Sequence, residues 1–230
     1  MGAKYEQRQL VIPGELIWEG RTRTGENTFR REGNVYASRI GLVNYGKNMV
    51  SVIALEAGYN PMVGDMVIGE VVDIELGRWL IDIGASTEAV LSVPDAVDKP
   101  FYTDFNMPRV LDVGETLVAK IVDLDRRRTP ILSMLGKDLG RVDSGLIINI
   151  TPSKIPRLIG KKGSMINMIL KEAGANVVIG QNGRILIQAR TLRQENMVVK
   201  TIKKIELEAH TSGLTNRIQA YLNEIKENEI

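Results

Sequence analysis

The chain has 230 residues, of which 43% are hydrophobic and 25% are charged, enough apolar content for two or three small globular domains. It contains no cysteine, which excludes disulfides and cysteine-ligated metals, and its net charge is only +2. No apolar run approaches the roughly 18 residues of a membrane span, and residues 1–6 lack an apolar signal core, so we expect a cytoplasmic protein that does not contact membrane.

Residues 1–60 have the pattern of a small β-rich domain. Runs of β character occupy residues 9–17, 35–43 and 49–55, and the pair Asn60-Pro61 is typical of a domain boundary. Nothing in this segment has the spacing of a catalytic site.

Residues 61–135 predict a five-stranded barrel of the OB type. The predicted strands, in order, are at 64–75, 79–84, 88–92, 113–123 and 130–133. A loop is expected over 94–112. This segment has 7 basic and 13 acidic residues, so a general electrostatic attraction for nucleic acid is not expected from it.

Five residues of the barrel segment are candidates for contact with RNA. Trp79 could stack on a base, which is worth about 1 to 3 kcal/mol, or could belong to the core. Lys120 and the run Arg126, Arg127 and Arg128 could contact the RNA backbone. The alternative for the arginine run is a solvated hairpin tip.

Three carboxylates of the barrel, Asp73, Glu75 and Asp82, recur with period two on adjacent predicted strands. Such a cluster could bind a metal ion in a nuclease. Alternation along a strand accounts for them more simply, because it places them on the outward face opposite the apolar one. We therefore assign no metal site and no cofactor.

Residues 136–230 predict a mixed α and β module. The predicted elements, in order, are a strand at 145–150, a helix entry at 151–153, a Gly-x-x-Gly loop at 160–163, a helix at 165–173, a hairpin at 176–188 with its turn at 180–183, and helices at about 195–210 and 214–228. The helices are expected to pack on the sheet, with Ile202, Ile205 and Leu207 in the core. The single histidine, His210, falls in a helical pattern, which is typical of a surface or packing residue.

The Gly-x-x-Gly loop is the strongest functional pattern in the chain. Gly160 and Gly163 allow a sharp turn and a close approach of the backbone to a ligand. Lys161 and Lys162 add positive charge there, and Arg157 precedes the loop by one helical turn. The amide groups that open the next helix favour an anion. This third of the chain also has 15 basic and 9 acidic residues, so a nucleic-acid backbone is the predicted ligand.

The loop and its flanking elements resemble a KH domain of type I, a module that clamps about four nucleotides. The Gly64 entry and the fourth predicted strand resemble an S1 RNA-binding barrel. Taken end to end, the chain is similar to the S1/KH cap subunit of the archaeal RNA exosome. The residues that carry this resemblance are 11–15, 31–38, the Gly64 entry, 160–163 and 180–185.

The resemblance implies a non-catalytic subunit of which three copies sit on a hexameric ring of RNase PH-like proteins. The N-terminal domain would dock on the ring, the S1 barrels would face its pore, and the KH domains would capture single-stranded 3′ ends. The ring would perform the 3′-to-5′ degradation. The other exosome cap protein carries a zinc ribbon, which a chain without cysteine cannot form.

Three other functions share these modules. Polynucleotide phosphorylase has KH and S1 modules in the opposite order behind large catalytic domains, for which this chain has no room. A transcription elongation or termination factor has an S1 domain before two KH domains, whereas one KH pattern is visible here. A stand-alone RNA chaperone would need no docking surface.

Overall fold

The computed structural model describes residues 2–55, 58–100, 102, 105–209, 211 and 213–228, so the predicted position of His210 lies outside the described residues. The chain forms two compact units, Met1–Ala57 and Gly58–Ile230. Within the described part of the chain, no helix is both long and apolar enough to cross a membrane.

The first unit is a small β domain, as predicted. Its strands are β1 (Leu10–Val11), β2 (Leu16–Trp18), β3 (Arg23–Thr24), β4 (Thr28–Arg31), β5 (Asn34–Ala37), β6 (Gly41–Tyr45) and β7 (Met49–Ala54). They form a four-stranded sheet in the order β1-β6-β7-β3 and a three-stranded sheet in the order β2-β5-β4. Alternate residues of each sheet, among them Ile17, Val35, Val43 and Val52, are buried in one shared core.

The second unit begins with a closed five-stranded barrel, which confirms the predicted fold. Its strands are β8 (Met66–Glu75), β9 (Arg78–Asp82), β10 (Ala89–Ser92), β11 (Thr116–Leu124) and β12 (Pro130–Ser133). The barrel closes because β12 pairs with both β10 and β11. A two-residue strand, β13 (Gly140–Arg141), adds to the outer edge of β11.

The loop expected over residues 94–112 contains a short helix, α1 (Val93–Val97), and a 3₁₀ turn at Met107–Arg109. The hydroxyl of Ser92 caps α1 by accepting a hydrogen bond from the Asp95 N–H at 3.4 Å. This helix was not predicted, because it is only five residues long and has a proline in its first turn, so its pattern does not differ from that of a loop.

The rest of the second unit has the predicted βααββα order with one further helix. The elements are β14 (Leu146–Asn149), α2 (Ile155–Ile159), α3 (Ser164–Ala173), β15 (Asn176–Ile179), β16 (Arg184–Gln188), α4 (Leu192–Glu208) and α5 (Leu214–Asn228). The three strands are antiparallel in the order β14-β16-β15. Side chains from the helices and from one face of this sheet form a common core.

Helix α4 begins three residues before the predicted start at Glu195. The cause is Thr191, whose hydroxyl caps the helix by accepting a hydrogen bond from the Gln194 N–H at 3.3 Å. Ile202 and Ile205 are buried, as predicted. The assignment of Leu207 to the core was wrong: its side chain is 75% exposed, because two positions past Ile205 point to the opposite side of a helix.

The barrel and the βααββα module share a small core of their own. Ile68 of β8 and Val118 of β11 pack against Leu186 of β16. The sheet of the module is therefore covered by its own helices on one face and by the barrel on the other. This explains why β8, β11 and β16 each contain consecutive buried residues where a half-exposed strand would alternate.

The turn between β15 and β16 stabilises the contact between the barrel and the βααββα module. The Asn182 amide donates to the carbonyl oxygens of Ile68 and Ile83 at 2.7 and 2.9 Å and accepts from the Ile68 N–H at 3.3 Å. Gln181 and Met66 exchange two further hydrogen bonds, at 2.8 and 3.1 Å. Asn182 is only 7% exposed, so its side chain replaces the water that these β8 groups would otherwise bind.

An ion pair lies beside this turn. The Arg184 guanidinium donates to the Asp82 carbonyl oxygen at 2.7 Å and to the Asp82 carboxylate. Burial raises the pKa of Asp82, but the Gly84 N–H and then Arg184 stabilise its charged form, and the net effect is a lowered pKa. Asp82 is therefore a structural carboxylate between the barrel and the module.

We predict that Asn182→Ala lowers the free energy of unfolding by about 3 kcal/mol, because three hydrogen bonds are lost and buried backbone groups of β8 and β9 are left unpaired. Urea denaturation of the full chain measures this change. Asn223→Ala, on the exposed face of α5, is the control and should change stability by less than about 0.5 kcal/mol. Equal stabilities of the two variants would contradict the role assigned to Asn182.

Candidate nucleic-acid interface

The Gly160–Gly163 loop joins α2 to α3 through unusual backbone angles. Helix α2 ends at Gly160, which has φ +73° and ψ 177°. Lys162 and Gly163 follow with φ +55° and +79°, both in the left-handed region, and α3 begins at Ser164. These angles turn the chain within four residues and leave both lysine side chains on the surface.

Gly160 is also required for packing. A Cβ atom at this position would lie 2.8 Å from both the Cβ and the backbone nitrogen of Met165, a buried residue of α3. A Cβ at Gly163 would meet only the Asn167 amide, at 3.3 Å. A substitution at Gly160 therefore perturbs the fold as well as the loop surface, whereas changes of the two lysines alter mainly charge.

The loop is electropositive and open to a ligand. Arg157, Lys161 and Lys162 are all exposed, and none of them forms an ion pair with another described residue. The first turn of α3 carries no acidic side chain. Three uncompensated cations beside the start of a ten-residue helix are suited to bind a phosphate-bearing ligand.

The barrel candidates lie on other elements. Lys120 is on the outward face of β11, opposite Met66 and Ser133. Arg126, Arg127 and Arg128 occupy the turn between β11 and β12, and all three are exposed. No hydrogen bond or ion pair between described residues links this turn to the Gly160–Gly163 loop. The cations predicted from the sequence thus form two groups.

The arginine turn is held by Asp125. Its carboxylate accepts hydrogen bonds from the Arg127 and Thr129 N–H groups, each at 2.7 Å. The Thr129 N–H is the main cause of a lowered pKa for Asp125. The turn is therefore preorganised, and its arginine side chains extend from a fixed backbone.

Trp79 does not lie on this interface. Its side chain is fully buried in the barrel core, and its indole N–H donates to the Leu111 carbonyl oxygen at 2.9 Å. The prediction that Trp79 stacks on a base was wrong, because both faces of the ring are covered by protein. The sequence could not separate the two roles, since a strand tryptophan fits either face of a barrel.

Three family models match successive parts of the chain. Residues 8–56 match the model for the exosome RNA binding protein RRP4 N-terminal domain. Residues 58–100 match the RRP4 S1 domain, and residues 145–193 match a KH domain. Their order is that of the β domain, the barrel and the βααββα module.

Curated relatives match over nearly the whole chain. The exosome complex component Rrp4 of Thermococcus kodakarensis is 38% identical over 96% of this chain and 88% of its own. The chain belongs to the Rrp4 family. Rrp4 of Sulfurisphaera tokodaii is 40% identical over 96% of this chain and 90% of its own, and Rrp4 of Thermofilum pendens is 38% identical over 95% and 94%. The resemblance stated from the sequence is thereby confirmed.

A solved structure agrees with this assignment. It is a crystal structure of a protein described as an exosome complex RNA-binding protein, and it matches with a TM-score of 0.71 at 36% identity. The match covers 76% of this chain and all of that one.

The three carboxylates that were considered for a metal site each have a protein partner. Asp73 accepts from the Ile74 N–H at 2.8 Å, Glu75 pairs with Arg78 at 2.5 Å, and Asp82 pairs with Arg184. Within the described residues, no group of three His, Cys, Asp or Glu side chains is placed to hold a metal ion.

The sequence reasoning missed an apolar stripe on the N-terminal domain. Leu10, Leu42 and Ile53 lie side by side on β1, β6 and β7, on the face opposite the buried Val43 and Val52. Leu10 is 51% exposed and Ile53 is 49% exposed. The sequence does contain a signal for this stripe: the strands have apolar residues at positions of both faces. A sheet with one face in water would carry polar residues on that face.

We predict that Trp79→Phe leaves RNA affinity unchanged and lowers the free energy of unfolding by about 2 kcal/mol, because the Leu111 carbonyl loses its buried partner. RNA titration and urea denaturation of the same preparation measure both quantities. A variant of normal stability with weakened RNA binding would contradict the buried role.

Proposed function

We propose that this chain is the non-catalytic RNA-binding cap subunit of an archaeal-type exosome. It captures single-stranded RNA 3′ ends and passes them into the pore of a phosphorolytic ring of RNase PH-like proteins, where 3′-to-5′ degradation takes place. In this proposal residues 1–60 dock on the ring, residues 61–135 form the barrel at the pore, and residues 136–230 form the KH module that captures RNA. Three copies occupy one ring in the cytoplasm.

The observation that carries this proposal is the Gly160–Gly163 loop. Its two lysines are exposed and form no ion pair with another described residue, and its left-handed residues hold the backbone in a tight turn at the start of α3. A KH module binds RNA backbone with such a loop. The match to Rrp4 proteins along nearly the whole chain adds the exosome context.

The barrel contributes a second, weaker contact in this proposal. The arginine turn and Lys120 offer cations to the RNA backbone, but the buried Trp79 removes the stacking platform. Without base stacking, the barrel holds RNA mainly through charge, and acidic side chains elsewhere on it limit that attraction. Weak RNA binding at the entrance of the pore allows the RNA strand to pass through it.

The apolar stripe of the N-terminal domain is our candidate for the ring-docking surface. Leu10, Leu42 and Ile53 are contiguous across three strands, and an exposed patch of this kind marks a protein interface more often than a nucleic-acid one. Assembly with other exosome subunits gives the stripe a partner that the isolated chain lacks.

We predict that Lys161→Glu combined with Lys162→Glu weakens binding of single-stranded RNA at least about tenfold, because two phosphate-facing cations become anions. Fluorescence anisotropy with labelled RNA at fixed salt measures the change. Lys171→Glu with Lys203→Glu makes the same change of net charge at exposed positions away from the loop and should have a much smaller effect. Equal losses in the two double variants would show that net charge, and not the loop, governs binding.

We predict that Leu42→Asp combined with Ile53→Asp abolishes recovery of RNase PH-like subunits when the tagged chain is used as bait in a nuclease-treated archaeal lysate. Desolvating two carboxylates in an apolar interface is costly, so the complex should not form. Leu207→Asp, at an exposed leucine of α4, is the control and should retain the subunits.

Recovery of RNA polymerase by the unmodified chain, or of no partner at all, would contradict the exosome assignment. Retention of the ring proteins by Leu42→Asp with Ile53→Asp would contradict only the docking surface. RNA affinity of this variant should equal that of the unmodified chain, because the substitutions lie in the other unit. An unchanged circular dichroism spectrum verifies that the N-terminal domain is folded.

A further inference from the structure

A cavity of about 370 Å³ opens between the Gly160–Gly163 loop and the start of α5. One wall comes from α2, the loop and the start of α3, and the other comes from Thr211, Gly213 and the first residues of α5. The residues that line it are Pro156, Arg157, Gly160, Lys161, Ser164, Met165, Thr211, Gly213, Leu214, Thr215 and Asn216. Its volume falls in the range of small-ligand sites, which begins at about 300 Å³.

The lining of the cavity has the chemistry of a nucleotide site. Arg157 and Lys161 supply two cations, and none of the described residues that line the cavity is a carboxylate that could neutralise them. The buried side chains of Met165 and Leu214 form an apolar floor on which a ring could rest. Thr215 and Asn216 are exposed at the rim and can both donate and accept hydrogen bonds, as base edges require.

The two lysines of the loop have different surroundings. Lys161 lines the cavity, whereas Lys162, in the left-handed conformation, does not. The sequence presents them as an equivalent pair. The structure gives them different surroundings, so a ligand in the cavity would contact Lys161 and leave Lys162 available to another part of the strand.

We propose that this cavity binds one nucleotide of the RNA strand in addition to the roughly four that a KH module clamps. Arg157 and Lys161 contact its phosphate, the ring lies against Met165 and Leu214, and Thr215 and Asn216 contact the base edge. This inference rests on the proposed binding of single-stranded RNA by the loop. It assigns a role to the α4–α5 segment, which lies outside the matched KH region at 145–193.

Continuity with the loop favours a nucleotide of the same strand over a separate ligand. Gly160 and Lys161 belong both to the clamp and to the cavity wall, so a strand held by the clamp passes the cavity mouth. A peptide is less suited to the site, since its backbone would bring no anion to Arg157 and Lys161. The cavity thus extends the RNA path by a position that reads the base as well as the phosphate.

The test compares RNA of two lengths on the full chain by isothermal titration calorimetry, using a tetranucleotide and an octanucleotide. We expect Thr215→Ala with Asn216→Ala to leave tetranucleotide affinity unchanged and to weaken octanucleotide binding about tenfold. Both positions are exposed near the start of α5, and alanine favours helix, so the fold should be retained. Asn223→Ala, on the same helix but outside the cavity, should change neither affinity.

The outcomes separate this inference from the proposed function. If Lys161→Glu with Lys162→Glu fails to weaken the tetranucleotide, RNA binding by the loop is itself wrong. If the loop variant behaves as predicted while Thr215→Ala with Asn216→Ala leaves octanucleotide affinity unchanged, only the cavity assignment is overturned. Equal weakening of both lengths by the cavity variant would also overturn it, because the cavity would then belong to the four-nucleotide groove.

Discussion

The hydrogen bonds of the Asn182 side chain hold the two parts of the second unit together. Its amide bonds β8 and β9 of the barrel, and it does so from a turn that a KH module would otherwise expose to solvent. Gly183 makes this turn possible, since it has φ +89° and a Cβ there would lie 2.3 Å from the Ile150 carbonyl oxygen. The barrel and the KH module are joined through this turn and the core around Ile68, Val118 and Leu186.

The junction between the barrel and the KH module limits which parts of the module can contact RNA. Because the β15–β16 turn is occupied by the barrel, it is not free to fold over a bound strand. In the proposed function, the contacts of the KH module with RNA come from α2, the Gly160–Gly163 loop, α3 and the residues beside them. The cavity at the start of α5 lies beside these elements, and the proposed nucleotide site would involve the C-terminal helix in RNA binding.

The domains of the chain differ in the chemistry of their exposed surfaces. In the KH module, Lys161 and Lys162 form no ion pair with another described residue. In the barrel, Glu75 pairs with the neighbouring Arg78, and Asp82 pairs with Arg184 of the KH module. The exposed leucine and isoleucine stripe of the N-terminal domain has the opposite character, since it is apolar and suited to a protein surface. The proposed function requires both kinds of surface, one for RNA and one for assembly with other subunits.

The sequence alone determined the order of the domains, most strand and helix positions and the Gly160–Gly163 loop. Local patterns suffice for these, because alternation, glycine spacing and turn residues act between neighbours in the chain. Tertiary structure alone decided that Trp79 is buried and that Asn182 binds β8. It also separated Lys161 from Lys162 and brought Thr215 and Asn216 beside the loop. Those outcomes depend on contacts between residues far apart in sequence, which no local pattern encodes.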